Sequence, residues 1–263
     1  MSQNNLNPKT LNFYQGLMCF PKGLREMFSD SKIFIYSIVP ILLGLGVIYF
    51  SFYYGWDFST DIIKKVLKDL FPVWISEKSY IYKTIFWFTN LIAKFVISLA
   101  LIYISFIIVQ IISIPFYTLI CERILSKRKV FLKREFELGT WLRLTLRLFV
   151  FSLFRMSLFL IFGLIVFVIS FIPGLQFLAL IYSGYVMAID CLDYTLEIYE
   201  INFARRFGIY FSHFGFFMGI TVILLPTMFI PGLTLIFLPI TVIGSAVCFA
   251  EIRGQDEYEK LIT

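Results

Sequence analysis

Residues 33–56, 85–114, 149–189 and 214–249 run for twenty or more positions with at most one charged side chain each. That pattern restricts the fold more than any other feature. Apolar runs of this length match the hydrocarbon core of a bilayer, which takes about 20 residues of helix to cross. In lipid every backbone amide has to find its partner within the protein, so only helices or closed barrels qualify. Barrel strands alternate apolar and polar residues in short blocks, and these runs do not alternate. Composition agrees: 59% of the 263 residues are hydrophobic and 15% are charged, against roughly 25% charged in soluble domains. The expectation is an all-α polytopic integral membrane protein forming a single membrane domain.

Within it, residues 1–32 read as an N-terminal interfacial segment, whose part 13–28 mixes apolar residues with Lys22, Arg25 and Glu26 as a short amphipathic helix would. A first span follows at 33–56. Residues 57–84 place Ile62, Ile63, Val66, Leu67 and Leu70 on one helical face, which suggests an amphipathic segment on the membrane surface. A second long helix is expected over 85–125, continuing past Pro115. The sequence FIPGL then occurs twice, at 171–175 and 229–233. Proline removes a backbone donor and glycine permits a left-handed turn, so each copy should stop a helix. The flanking arms, such as 175–189, give only about 22–25 Å of helix. We therefore expect two half-penetrating helical hairpins turning at Pro-Gly, over 141–196 and 212–250, beside two long transmembrane helices. Full spans across thinned lipid are the competing reading. Residues 251–263 form a tail.

The net charge of +6 comes from basic residues flanking the apolar runs, including Lys22, Arg25, Lys127, Arg128, Lys129, Arg143 and Arg147. This is the pattern of cytoplasmic loops rather than of a nucleic-acid surface, and it puts both termini in the cytoplasm. The first apolar run is too long for a cleavable signal core, so it is expected to be retained. Cys19, Cys121, Cys191 and Cys248 are widely spaced and read as free or buried thiols; with the single histidine, His213, they provide no metal-ligand spacing. No metal or other cofactor is expected. The chain carries no GxxxxGK[ST] phosphate loop, so transport driven by ATP through such a loop is excluded.

Lys94, Arg155, Asp190 and Asp193 are the ionisable residues inside or bordering the apolar stretches. Charges at membrane depth are costly and mark polar paths or paired sites. For Arg155 both a pathway role and a snorkelling or ion-paired role are open. Asp190 and Asp193 share a helical face and could form a carboxylate pair, but their neighbours Glu197 and Glu200 favour a solvated helix end. Gly23-Leu24-Arg25 is a short basic turn in which free backbone amides and a guanidinium could hold an oxyanion or touch lipid phosphate.

Taken in order, Gly23-Leu24-Arg25, Pro115-Phe116-Tyr117-Thr118 with Glu122-Arg123, Ala188–Tyr194 and Ile230–Ala246 resemble the CysZ-type sulfate permeases and the etoposide-induced-protein membrane family. The resemblance covers roughly residues 13–250. It implies two long helices with two half-penetrating hairpins, homo-oligomers, a bacterial inner-membrane location, no catalysis, and passage of sulfate or a similar oxyanion for sulfur assimilation. It also implies substrate binding at Gly23, Leu24 and Arg25, and a polar path through Glu122 and Arg123, to which Arg155 could be added. Glu26 departs from the family pattern, which often has a second arginine there, and its carboxylate would repel sulfate. The wider family also suggests a non-transport membrane scaffold or stress-related interaction protein.

Overall fold

The computed structural model describes residues 11–70, 80–130, 138–199, 201–230 and 232–262, and within them the ordered elements are all helical. In chain order they are α1 (Phe13–Ser29), α2 (Ser31–Leu70), α3 (Tyr80–Lys127), α4 (Leu138–Ile169), α5 (Gln176–Ile198), α6 (Phe203–Ser212), α7 (Phe214–Leu224) and α8 (Leu233–Ile262). A 3-10 turn, Leu225–Phe229, follows α7. Among the described residues four stretches are long and apolar enough to cross a bilayer: Ser31–Ser51, Ile108–Lys127, Gln176–Ile198 and Leu233–Ile252. A fifth candidate, Phe203–Ser212 plus Phe214–Phe229, is bent by 77°. The chain is an all-α polytopic membrane protein.

Several hydroxyls inside these helices are satisfied locally, as suits lipid surroundings. Ser37, Thr118, Thr221 and Thr241 each donate to the carbonyl four residues back, at 2.7–2.9 Å.

The chain divides into two compact units, residues 42–112 and the remainder. The smaller unit comprises the later part of α2 and the earlier part of α3, with Ser105 Oγ 2.7 Å from Ser51 Oγ. Tyr49, Tyr53, Trp87 and Phe95 are exposed there, and the Tyr49 and Tyr53 rings stack. The sequence reading divides the chain at 57, whereas α2, Ser31–Leu70, is one helix of 40 residues, about 60 Å, that runs through that point. No proline interrupts it beyond Pro40, so the amphipathic pattern after 57 is carried by the same helix.

In the larger unit, α8 is the central element, with every residue from 239 to 250 buried. Helix α1 starts at a reciprocal cap. Asn12 Oδ1 accepts from the Gln15 amide at 3.0 Å, and Gln15 Oε1 accepts from the Asn12 amide at 3.2 Å. Its small residues then let it lie directly on the backbones of α7 and α8. A Cβ at Gly16 would stand 2.1 Å from the Phe216 carbonyl oxygen, and one at Gly244 would stand 1.7 Å from that of Cys19. Close approach through small residues is how helices associate without a hydrophobic drive between them.

Both FIPGL copies end helices, with Gly174 at φ +91° and Gly232 at φ +88°, the left-handed geometry glycine supplies without strain. Pro231 lies outside the described residues. Tyr182 of α5 donates to the Phe159 carbonyl of α4 at 2.5 Å, tying these two helices together. The arm after the first copy is longer than the sequence suggested. Helix α5 does not stop near Ile189 but runs 23 residues to Ile198, about 34 Å. Its last turns carry acids whose charge is taken up by arginines, so they need no water.

Candidate functional site

Two clusters of charge organise the larger unit. The first fastens the end of α1. Lys22, Glu26 and Asp30 recur every four residues, which aligns them along one side of the helix. Lys22 Nζ is 2.5 Å from Glu251 of α8, and Glu26 takes Lys127 at 2.7 Å and Arg128 at 3.4 Å. Arg128 also reaches Glu251 at 3.2 Å, and Arg123 Nε donates to Asp30 at 3.0 Å. Burial alone would push the Asp30 carboxyl up. The Arg123 hydrogen bond and the backbone N–H groups of Lys32 and Ile33 outweigh it, so the carboxyl sits below its ordinary range.

The second cluster is buried between α4, α5 and α6. Asp190, Asp193 and Glu197 lie on one face of α5. Arg155 of α4 donates to Asp190 and holds Asp193 Oδ2 at 2.5 Å as an ion pair without hydrogen-bond alignment. Arg206 of α6 reaches Asp193 at 3.2 Å, pairs with Glu197, and donates from Nε to the Ile201 carbonyl at 2.8 Å. The Tyr210 hydroxyl donates to Asp193. Arg155, Asp193, Glu197 and Arg206 are each at most 5% exposed. Buried charges persist only when paired, and each charge of this cluster is ion-paired, with Arg155 Nη1 held by charge alone.

The sequence-selected residues fall differently. Gly23, Leu24 and Arg25 sit inside α1 rather than at a helix start or loop, so the Gly23 and Leu24 amides belong to the helix ladder and are not free donors. Gly23 faces α8, where a Cβ would meet the Ile240 carbonyl oxygen at 1.9 Å. Leu24 and Arg25 are exposed, and among the described residues Arg25 has no ion pair or hydrogen bond. Glu122 and Arg123 are half-buried neighbours. Consecutive helix residues point apart, and Arg123 turns to Asp30 instead. Arg155 belongs to the buried cluster; no ion pair among the described residues links that cluster to Glu122 or Arg123.

The solvated helix end expected at Asp190 and Asp193 is overturned at Asp193, which is 5% exposed, and at Glu197, which is 0% exposed, while the Asp190 side chain is 21% exposed and paired with Arg155. Arg206 is 2% exposed. The signal for this cluster was present: carboxylates at i, i+3 and i+7 on an otherwise apolar helix, with a lone arginine in the preceding apolar run. What was missing was their partner on α6. The four cysteines are buried and free, with Cys19 and Cys248 sulfurs 3.7 Å apart. No His, Cys, Asp and Glu grouping suited to a metal occurs among the described residues.

A family described as sulfate transporter CysZ/etoposide-induced protein 2.4 matches residues 19–239, a stretch that includes both charge clusters except for Glu251. Comparison with curated proteins gives no match.

Proposed function

Since the chain belongs to the sulfate transporter CysZ/etoposide-induced protein 2.4 family, we propose that it passes sulfate or a similar small oxyanion across a bacterial cytoplasmic membrane. The observation that carries this reading is Arg25. Its guanidinium is exposed and unpaired among the described residues, on a helix fastened to α8 and α3. A guanidinium binds a tetrahedral oxyanion through two parallel hydrogen bonds, and a rigid support limits the entropy lost on binding.

Glu26 then ceases to be an obstacle. Lys127 and Arg128 neutralise its carboxylate on the inward side of α1, which offsets the repulsion it would otherwise exert on an anion at Arg25. In this reading capture uses the Arg25 side chain, with Gly23 and Leu24 shaping the helix rather than donating amides. Arg123 and Glu122 lie at the end of α3, and with Arg155 they would supply the inner polar path. Passage is downhill or coupled to an ion, with no catalytic step, and works in a homo-oligomer.

Radioactive sulfate uptake into vesicles containing the purified protein tests this, beside empty vesicles and the Arg25→Ala variant. Saturable entry is expected, with affinity weakened about tenfold or more by loss of a charged hydrogen-bonding group. Uptake no faster than empty vesicles, from folded protein, would replace the permease reading with the scaffold role. Uptake that ignores the substitution would move the capture site away from Arg25.

A further inference from the structure

Cys19 of α1 and Cys248 of α8 stand 229 positions apart in sequence, yet their sulfurs lie 3.7 Å from each other. The contact follows from a glycine. A Cβ at Gly244, one turn before Cys248, would stand 2.8 Å from the Cys19 Cα, so the two backbones touch there and small side chains beside the contact meet. Both thiols are free and buried. The Gln15 carbonyl accepts from Cys19 Sγ at 3.4 Å and from Cys248 Sγ at 3.7 Å, which holds the two sulfurs side by side. Cys191, by contrast, donates within its own helix to the Met187 carbonyl at 3.3 Å. A disulfide needs its sulfurs about 2.0 Å apart and Cα atoms within about 7 Å. The remaining gap of about 1.7 Å is of the size that side-chain rotation covers where backbones already touch.

We infer that Cys19 and Cys248 form a redox-sensitive pair that a hydroperoxide converts to a disulfide, locking α1 covalently onto α8. Cys248, 2% exposed against 0% for Cys19, is the more open and reacts first. Its sulfur attacks one oxygen of hydrogen peroxide and the O–O bond breaks. The leaving hydroxide takes the thiol proton as water, and the sulfur becomes a sulfenic acid. The Cys19 sulfur then attacks the Cys248 sulfur, the S–O bond breaks, and a second water leaves with the Cys19 proton. Two thiols and one peroxide thus give one disulfide and two waters, with two electrons passing from sulfur to peroxide oxygen. A dithiol reductant reverses the bond by exchange. Without the bond, α1 is held by packing and by ion pairs such as Lys22–Glu251, whose side chains are 34% and 39% exposed and open to screening by salt. With it, the attachment is independent of salt, and the unfolded chain is closed into a loop spanning most of its length, where a crosslink stabilises most.

The test treats the purified full-length protein in neutral detergent with dilute hydrogen peroxide. Remaining thiols are blocked with N-ethylmaleimide after unfolding, and the product is read by mass. Two of the four cysteines should escape blocking, and digestion should yield one linked pair of peptides, carrying Cys19 and Cys248. Dithiothreitol should restore both thiols. The oxidised protein should unfold several degrees above the reduced one. Cys248→Ala should lose both the linked peptides and the shift, whereas Cys121→Ala with Cys191→Ala should keep both. The linked peptides are read in the unaltered protein, so that result stands even where a variant folds poorly. Blocking of all four cysteines would overturn the inference, as would oxidation of Cys19 or Cys248 to sulfinic acid without a link. So would a link from either residue to another cysteine, or to a second copy of the chain seen as doubled mass. A link that leaves the unfolding temperature where it was would overturn the lock. None of these readings involves transport, so failure of the crosslink and failure of the permease proposal are separate results.

Discussion

The larger unit uses the same chemistry, carboxylate against guanidinium or ammonium, in two settings with opposite consequences. Around α1 the paired side chains range from 9% to 45% exposed. Water and salt compete for these charges, and such pairs contribute about 0–1 kcal/mol each. Between α4, α5 and α6 they range from 0% to 21% exposed. There a charge that loses its partner cannot turn to water. The α1 lattice selects a register for a helix already held by glycine contacts, whereas the buried cluster is an all-or-none condition for packing α5 against its neighbours.

The sharpest way to break this contrast is to remove one buried cation. Arg206→Met removes the guanidinium that pairs with Glu197 and one of the two that face Asp193, which keeps Arg155 and the Tyr210 hydroxyl, and loss of one member of a buried pair costs about 3–5 kcal/mol. Thermal unfolding in detergent should show a large drop or failure to fold. Adding Glu197→Gln neutralises the carboxylate that paired with Arg206 and should recover a substantial part of the loss, since replacing both members of a buried pair by neutral groups is tolerated far better than removing one. A drop of about 1 kcal/mol or less for the single variant would mean water reaches the cluster, and the two settings would be one.

An intermediate effect is expected at Glu26, which holds two cations and is 14% exposed at its side chain. Glu26→Gln should cost about 1 kcal/mol. Because Lys127 and Arg128 remain 45% and 30% exposed, the gap from the unaltered protein should narrow in molar salt, where screening acts within about 3 Å. A salt-insensitive gap as large as that of Arg206→Met would erase the distinction between the clusters.

The same contrast separates what could be read in the sequence from what could not. Helix class and the two glycine turns were legible because they depend on local properties: apolar run length and the left-handed freedom of Gly174 and Gly232. The ends of α2 and α5 were not. Each continues past a change from apolar to polar residues, and in α5 that change is absorbed by Arg155 and Arg206, which lie far away in sequence and meet it only in the fold. Arg25 was legible as a candidate from its residue type and neighbours. Its exposure was not, nor was the inward turn of Glu26, since both depend on which side of α1 the glycines place against α8.

The smallest effect, and the one that tests the lattice most finely, is at Asp30. Its carboxyl sits below the ordinary range because the Arg123 hydrogen bond and two backbone N–H groups outweigh the effect of burial. A depressed folded-state pKa contributes stability that is fully present above the unfolded value of about 3.9 and disappears as pH falls through the folded value. The difference in unfolding free energy between the unaltered protein and Asp30→Asn should therefore stay constant from neutral pH to about 5, then shrink below about 4. Arg123 is 37% exposed at its side chain, so the plateau should be only a few tenths of a kcal/mol. A difference that already shrinks between neutral pH and about 6 would contradict the depressed pKa at Asp30 and would point to another titrating group at the α1 attachment. No such shrinkage, even at the most acidic pH at which the protein stays folded, would show that Asp30 acts through its helix-junction hydrogen bonds, which asparagine partly preserves, rather than through its charge on Arg123.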